Sequence, residues 1–278
     1  PMEELIILGT GYAMALDCYN TCFLLKNSKE EMILVDTGGG NQILKRLKEA
    51  KVEMNQIHHI ILSHKHTDHV LGIFWIIRRM QKILANGTYE GNLTIYMHRE
   101  LESEVRQICN LLLPQKFLRW IDDRILFQVV EDQEIVPMNS YSIQFFDLQS
   151  KKDKQFGFRT TLENGETLVF FGDEMFREEL RKEVEGADWL LHEAFCLECD
   201  AEEMKPYEKM HSTAKVASQK AESLGVKNLI LYHTEDKRLK DRKRLYTEEG
   251  SQYFSGNLYV PDDLERIVLS MKKNNCEI

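Results

Sequence analysis

The segment from Ser63 to His69 constrains this chain more than any other, because it places three imidazoles and a carboxylate within six residues. Only nine His occur in the 278 residues, so this concentration favours a functional site over a surface loop that happens to be rich in histidine. Imidazole and carboxylate groups suit borderline-soft divalent metals such as zinc. The segment therefore predicts a metal site.

The motif lies at the junction of a predicted strand and a predicted helix. The apolar run at 57–62 predicts a buried strand, and the run at 70–77 predicts an apolar helix. The first two histidines of the motif are two residues apart in the extended part, so they point the same way. Asp68 and His69 then enter the first helical turn and can face a second ion.

Length and composition favour one globular unit. Hydrophobic residues make up 43% of the chain, and no repeat or Pro/Gly-rich linker divides it, so we predict a single domain over residues 1–278. The net charge of −9 argues against a general nucleic-acid binder. Without an apolar run of 18 residues, we expect no membrane span.

The start of the chain and its cysteines favour a cytoplasmic protein. The first residues lack a basic region followed by an apolar one, so we expect no signal peptide. Scattered cysteines without an export signal indicate reduced thiols. Cys196 and Cys199 form a single Cys-x-x-Cys motif, and a structural zinc site would need a second pair of cysteines. The six cysteines are Cys18, Cys22, Cys109, Cys196, Cys199 and Cys276.

Short apolar strands occur in both halves of the chain, each half with a few helices. Asn164-Gly165 between two β-rich runs is a strong hairpin signal. Helices are predicted at 99–121, interrupted near Pro114, at 213–224 and at 235–249. The pattern predicts an α/β (α+β) fold in which sheets pack together with helices outside. The helices at 99–121 and 235–249 could cover a cleft or form a homodimer contact.

Further polar residues follow apolar strands later in the chain. Asp173, the pair His192-Glu193 and His233 each stand at the end of such a strand, and His211 precedes a predicted helix. Ligand sites in α/β sheets gather at the carboxyl ends of strands. Taken singly each of these residues fits a solvated cap, but together they favour one shared site.

In this order the motifs resemble the metallo-β-lactamase superfamily, and within it the ribonuclease Z branch and its relatives, including cyclic-nucleotide phosphodiesterases of phosphonate metabolism. The resemblance covers nearly the whole chain. It implies a four-layer αββα sandwich, with two packed mixed sheets and helices on the outside. The matching elements are Leu8-Gly9-Thr10-Gly11, Asp36-Thr37-Gly38, His64-x-His66-x-Asp68-His69, Gly172-Asp173, His192-Glu193-Ala194, His211-Ser212-Thr213-Ala214 and His233.

The resemblance also implies the site. Two divalent metals are expected if the first position is intact, with zinc favoured and manganese or iron as alternatives. The implied ligands are His64 and His66 for the first ion, Asp68, His69 and His233 for the second, and Asp173 between them. The implied catalytic residues are Asp68, which also orients the attacking hydroxide, His211, which acts on the phosphate and leaving group, Glu193, which orients His211, and His192 beside it.

The chain departs from the family at the first metal position. A further His is expected after the strand near 143–146, but no His lies between His98 and His192. Gln149 is predicted to occupy that place, and a neutral amide is a poorer zinc ligand than imidazole. We therefore expect a weakened first position.

A second departure concerns the substrate. Many ribonuclease Z enzymes carry a long Gly/Pro-rich arm for tRNA just before the residue corresponding to Asp173, and this chain has no room for one there. The predicted function is a metal-dependent phosphodiesterase, using hydroxide generated at the metals on a nucleotide-like or other small phosphodiester. The alternatives are a ribonuclease Z-type RNA 3′-processing endonuclease, another hydrolase such as a lactonase or thioesterase, and a metal-poor binding protein without catalysis.

Overall fold

The computed structural model describes residues 2–271, which form two sheets flanked by helices. The strands are β1 (Met2–Gly9), β2 (Cys22–Lys26), β3 (Met32–Val35), β4 (Ile57–Ile61), β5 (Leu93–Met97), β6 (Ile125–Val129), β7 (Ile135–Met138), β8 (Tyr141–Asp147), β9 (Phe156–Thr161), β10 (Thr167–Phe170), β11 (Trp189–Glu193), β12 (Asn228–Tyr232), β13 (Asn257–Tyr259) and β14 (Arg266–Met271).

The helices lie between these strands. The α-helices are α1 (Gln42–Glu49), α2 (Thr67–Val70), α3 (Gly72–Ala85), α4 (Arg99–Leu112), α5 (Gln115–Leu118), α6 (Arg181–Val184), α7 (Ala201–Met204), α8 (Ala214–Ser223) and α9 (Arg242–Ser251). Short 3-10 turns occur at Met54–Gln56, Glu178–Leu180, Glu198–Asp200 and Tyr207–Lys209.

Both sheets are mixed, and each has seven strands within residues 2–271. The first has the order β14-β1-β2-β3-β4-β5-β6, and the second β13-β12-β11-β10-β9-β8-β7. Strands joined by tight turns, such as β2 with β3 and β9 with β10, pair antiparallel. Strands joined through helices, such as β4 with β5 and β11 with β12, pair parallel, as a crossover requires.

Central strands such as β2, β3 and β12 are buried on both faces because each sheet is covered on both sides there. Along β1, Leu5 and Ile7 pack into the layer between the sheets, whereas Ile6 and Leu8 pack against the helices outside the first sheet. A third apolar cluster joins the second sheet to α8 and neighbouring segments. This is the predicted αββα sandwich, and the fold prediction is confirmed.

The local predictions mostly agree with the elements found. The helical region at 99–121 divides at Pro114 into α4 and α5, and α8 is capped by Thr213, whose hydroxyl accepts a hydrogen bond from the Val216 N–H (3.2 Å). The predicted helix at 235–249 is wrong in its first part, because α9 begins only at Arg242. Residues 235–241 instead turn back, and the carboxylate of Asp236 accepts the backbone N–H of residues 16 and 17.

Several predictions concern the chain as a whole. None of the helices within residues 2–271 is long and apolar enough to cross a membrane. The five cysteines in this range, which include Cys196 and Cys199, are free thiols, and Cys276 lies outside the described residues. The single-domain organisation stays a prediction.

Candidate metal centre

The predicted site residues come together where strands of the two sheets end. The histidine motif follows β4, Asp173 follows β10, Glu193 ends β11 and His233 follows β12. β10, β11 and β12 are parallel neighbours, so their carboxyl ends lie at one edge of the second sheet. The packing of the two sheets brings that edge to the loop after β4.

Four buried side chains form one candidate metal position. The Asp68 carboxylate lies 3.1 Å from His69 Nε2 and 3.3 Å from His233 Nε2. Asp173 lies 3.0 Å from His233 Nδ1 and 3.6 Å from His69 Nε2. Ligand atoms of all four lie within 4.8 Å of one another, close enough for one ion.

A second group shares Asp173. His64 Nε2 lies 3.1 Å from His66 Nδ1 and 3.8 Å from Asp173 Oδ2, and the three residues can face a common ion. The structure thus brings together the six residues that the sequence predicted as ligands, with Asp173 between the two positions.

Asp36, which the sequence analysis placed only in a matching motif, supports both groups from behind. Its carboxylate lies 2.9 Å from His69 Nδ1 and accepts the N–H and the hydroxyl of Ser63. The Ser63 hydroxyl in turn lies 2.8 Å from His64 Nδ1. In His64 and His69, Nδ1 is thereby engaged and Nε2 is left for a metal. A carboxylate directly after a buried strand was the sequence signal for Asp36.

The backbone around Asp173 is held in a fixed shape. The Asp173 N–H donates to the side-chain carbonyl of Gln155 (2.6 Å), and the Tyr232 hydroxyl donates to the Gly172 carbonyl (2.8 Å). Gly172 has φ of +62°, and a Cβ there would lie 2.2 Å from Gln155 Oε1. Only glycine therefore fits at this turn.

His211 and Glu193 form a hydrogen-bonded pair at the rim of the metal cluster. Glu193 is fully buried, accepts the Ser212 N–H (2.5 Å) and lies 2.9 Å from His211 Nδ1. His211 Nδ1 also lies 3.7 Å from Asp173. Burial tends to lower the pKa of His211, but the hydrogen bond and charge of Glu193 outweigh burial and raise the pKa.

His192, which the resemblance placed among the catalytic residues beside Glu193, does not join this cluster, and its catalytic role stays a prediction. Successive residues of a strand point to opposite faces, and Glu193 takes the face toward the site. His192 is fully buried, its Nε2 accepts the Phe176 N–H (3.0 Å), and its Nδ1 lies 2.7 Å from the Glu193 carbonyl. Both ring nitrogens are therefore engaged with the backbone.

Gln149 is exposed, and the structure gives it backbone contacts rather than a place against the histidines. Its N–H donates to Asp147 and its carbonyl accepts from Arg177. The residue of this loop that contacts the histidine motif is Asp153, 2.8 Å from His66 Nε2. That Gln149 serves as a ligand stays a prediction; Asp153 was missed because nothing in its local sequence marks it.

The chemistry of these donors fits divalent metal ions. His69 Nε2, His233 Nδ1 and Asp173 Oδ1 are buried atoms without a hydrogen-bond partner among the described residues, which is costly unless a ligand satisfies them. Burial and the neighbouring His69 hold the pKa of His64 well below its usual range, so His64 is a neutral imidazole, the form that binds metal.

Asp68 and Asp173 are ionised and can bind a metal directly, whereas His69 must first lose a proton. Burial opposes ionisation of Asp68 and Asp173, but the surrounding histidines outweigh it and lower the pKa of both. Burial also acts to lower the pKa of His69, but Asp68 and Asp36 raise it well above its usual range. A metal that binds His69 therefore displaces a proton.

An open cleft adjoins Asp68. It has a volume of about 610 Å³ and is lined by the loop at 13–20, by residues at the start of α1, and by Thr67. Arg46 contributes a positive charge to its wall. The volume is in the range of small-molecule sites, about 300–1,000 Å³.

The comparison with known families agrees with this centre. Residues 3–254 match the sequence model of the family described as "Anti-Pycsar protein Apyc1". Among curated proteins, the chain is 23% identical over 275 residues to a ribonuclease Z of Parabacteroides distasonis, covering 83% of this chain and 88% of that protein. It is 24% identical to a ribonuclease Z of Phocaeicola vulgatus, with 97% and 98% covered.

Solved structures show the same fold. The metallo-β-lactamase fold protein YhfI from Bacillus subtilis superposes with a TM-score of 0.77 at 19% identity, covering 96% of this chain and 99% of that one. Human tRNase Z, short form, superposes with a TM-score of 0.69 at 18% identity, covering 96% and 100%.

The predicted resemblance to ribonuclease Z-like members of the metallo-β-lactamase superfamily is confirmed. Fold, relatives and clustered donors together make this protein a metal-dependent hydrolase of the metallo-β-lactamase fold. Since the family model spans most of the sequence, the chain belongs to the Apyc1 family of anti-Pycsar proteins.

Proposed function

We propose that this protein is a phosphodiesterase that uses two divalent metals to hydrolyse a small, nucleotide-like phosphodiester. The observation that carries the proposal is the pair of Glu193 and His211 beside Asp173. A histidine held by a buried carboxylate next to two metal positions is suited to a negatively charged reacting group with a leaving alkoxide. Cleavage of a simple ester or lactone has no need for this pair.

The metal ligands would assemble the reacting groups. Divalent metals at these two positions would activate a water near neutral pH and neutralise charge on the phosphate. His64, His66 and Asp173 would hold the first ion, and Asp68, His69, His233 and Asp173 the second. The Asp68 oxygen that faces His69 and His233 is Oδ2, which leaves Oδ1 to orient the attacking water.

His211 would act on the leaving group. Its Nδ1 is engaged by Glu193, so Nε2 is the nitrogen that can hold and donate a proton. The raised pKa of His211 favours the protonated imidazolium, which can stabilise charge on the phosphate and protonate the departing oxygen. Glu193 keeps the ring in one tautomer and orientation.

Charge and shape support a small substrate. The chain carries a net charge of −9, and a hairpin, β9 with β10, takes up most of the stretch before Asp173 where many ribonuclease Z enzymes carry a tRNA arm. The cleft of about 610 Å³ beside Asp68 could hold a nucleoside-sized group next to the metals. The family is named for opposing Pycsar, and we propose the same role here, exerted through this hydrolysis.

Ribonuclease Z-type cleavage of RNA is the second candidate, because relatives over nearly the full length bear that name. A non-catalytic binding protein is the third, and the exposed position of Gln149 keeps it open. The ribonuclease and the binding protein differ in expected metal content as well as in activity, since a binding protein without turnover has no need for two ions.

The test combines metal analysis with a substrate panel. Protein purified without added metal is analysed by inductively coupled plasma mass spectrometry, then assayed on bis(p-nitrophenyl) phosphate, p-nitrophenyl acetate, cyclic nucleotides and a precursor tRNA. We expect between one and two equivalents of metal, because the first position is the weaker one, together with cleavage of the phosphodiesters and cyclic nucleotides and little cleavage of the acetate or tRNA.

Asp68→Asn serves as the inactive variant, and Asp123→Asn, an exposed aspartate between α5 and β6, as the matched control. Cleavage of the precursor tRNA in preference to small substrates would favour the ribonuclease assignment. Fewer than one equivalent of metal, with no uptake of zinc or manganese, would reject the enzyme and leave the binding protein.

A further inference from the structure

We propose that Asp153 is a positioning residue that orients His66 and sets the metal affinity of the first position. The inference rests on the proposed two-metal centre and concerns how the chain compensates for the missing ligand histidine. Asp153 lies in the loop between β8 and β9, in the stretch where the family resemblance leads us to expect that histidine.

The ring nitrogens of His66 divide between the metal position and Asp153. His64 Nδ1 is engaged by the Ser63 hydroxyl, so His64 Nε2 faces the metal position, and His66 Nδ1 lies 3.1 Å from that atom. His66 Nε2 therefore points away from the metal position, and it meets Asp153 Oδ2 at 2.8 Å. Asp153 thus acts on the ring from outside and is not itself a metal ligand.

The other metal position has the same arrangement. His69 Nδ1 lies 2.9 Å from Asp36, and His69 Nε2 is the buried nitrogen left without a partner among the described residues. A carboxylate on the far nitrogen of a ligand histidine fixes its tautomer and orientation and increases its basicity. Asp153 therefore orients His66 at the first position in the way that Asp36 orients His69 at the second.

The two carboxylates differ in their surroundings. The side chain of Asp36 is 4% exposed and held by two hydrogen bonds from Ser63. The side chain of Asp153 is 38% exposed, and Lys65 Nζ lies 3.5 Å from its other oxygen. Solvent and a competing cation weaken the hold on His66, so the first position should bind metal less tightly than the second.

The loop that carries Asp153 is anchored well enough to position it. The Leu148 N–H donates to the Gln155 carbonyl (2.9 Å), His98 Nε2 lies 3.1 Å from the Lys154 carbonyl, and Lys152 Nζ donates to the Lys209 carbonyl (3.0 Å). These contacts hold the loop on both sides of Asp153, while Gln149 faces solvent.

The experiment measures binding of cobalt(II) and zinc to metal-free protein, by chelator competition and by the visible spectrum of cobalt. Asp153→Ala is compared with wild type, with the conservative Asp153→Glu and with the control Asp123→Asn. We expect Asp153→Ala to weaken one of two equivalents by about 10–100-fold and to alter its cobalt spectrum, leaving the other unchanged. Asp153→Glu should restore part of the affinity.

The possible outcomes separate this inference from the proposed function. If the Ala variant binds both equivalents with wild-type affinity and spectrum, the role of Asp153 is refuted while the two-metal enzyme stands. If both equivalents weaken equally, Asp153 is not specific to the first position and the inference fails. A wild type that takes up no metal refutes the proposed function. Circular dichroism checks folding, which an exposed side chain should not disturb.

Discussion

At the scale of the residue, one ring nitrogen is fixed by a neighbouring oxygen in four of the five histidines of the proposed centre, His233 being the exception, and this decides what the other nitrogen can do. The fixed atoms are Nδ1 of His64 by Ser63, Nδ1 of His69 by Asp36, Nε2 of His66 by Asp153 and Nδ1 of His211 by Glu193. Three of the free nitrogens face the metal positions. The free nitrogen of His211 is available for proton transfer.

A first prediction separates His211 from the metal ligands. Replacing His211 by Ala should lower kcat on a cyclic nucleotide, whose alkoxide leaving group needs a proton, by about 10²–10⁴-fold, because a general acid is lost. Metal content should stay at the wild-type value, since His211 binds no ion in the proposed centre. Steady-state kinetics and mass spectrometry of metals measure the two quantities. A loss of metal in this variant would contradict the role.

A second prediction concerns the pH dependence that Glu193 imposes on His211. Glu193 raises the pKa of His211, and the protonated ring is the active form, so kcat falls as pH rises through that pKa. Glu193→Gln removes the charge and should move this alkaline limb to lower pH. The measurement is kcat against pH for both proteins with a poor leaving group. Superimposable alkaline limbs would show that His211 is not the titrating group.

At the scale of the element, the start of α3 is docked tightly on the loop after β3. Thr37 donates from its N–H and its hydroxyl to the His69 carbonyl (2.9 and 2.8 Å). Gly72 begins α3, and a Cβ there would lie 2.2 Å from the Thr37 carbonyl oxygen. The close approach fixes the short helix α2, which carries Asp68 and His69.

Gly72→Ala should therefore destabilise the protein by about 1–3 kcal/mol, the usual cost of forcing extra atoms into a packed contact. The matched control is Gly40→Ala, where no described atom lies within 4 Å of the added Cβ; we expect a change within about 0.5 kcal/mol. Chemical denaturation measures both. Equal stabilities of the two variants would show that the contact at Thr37 relaxes freely.

At the scale of the whole molecule, the centre joins the two sheets. The first sheet contributes the histidine motif and Asp36, and the second contributes Asp173, Glu193 and His233. Ions held between them should stabilise the entire fold, because the site does not exist in the unfolded chain.

Removing metal should therefore lower the melting temperature. An ion present at about 100 times its Kd contributes about 2.7 kcal/mol, which for a protein of this size corresponds to roughly 5–10 °C. Differential scanning calorimetry before and after chelator treatment measures the shift, and added zinc should reverse it. A melting temperature that does not respond to either step would argue against metals bridging the sheets.

The sequence alone determined the main elements, the fold and the residues expected at the site. The short apolar runs of the strands, the Asn164-Gly165 turn and the histidine motif are local signals, and they remain valid whatever surrounds them. The start of α9 was misjudged because Asp236, at the head of that segment, bonds to residues 16 and 17 across the fold. A local pattern carries no record of such a partner.

Tertiary structure alone decided how the site residues are used. His66 and Asp153 lie 87 residues apart in sequence, and their contact depends on how one loop returns to the edge of the sheet. The pleat of β11 gave Glu193 to the site and turned His192 into the core, although the two are neighbours in the chain. Residue types and spacing establish which chemistry is possible. Long-range packing fixes which atoms carry it out, because orientation depends on contacts between distant segments.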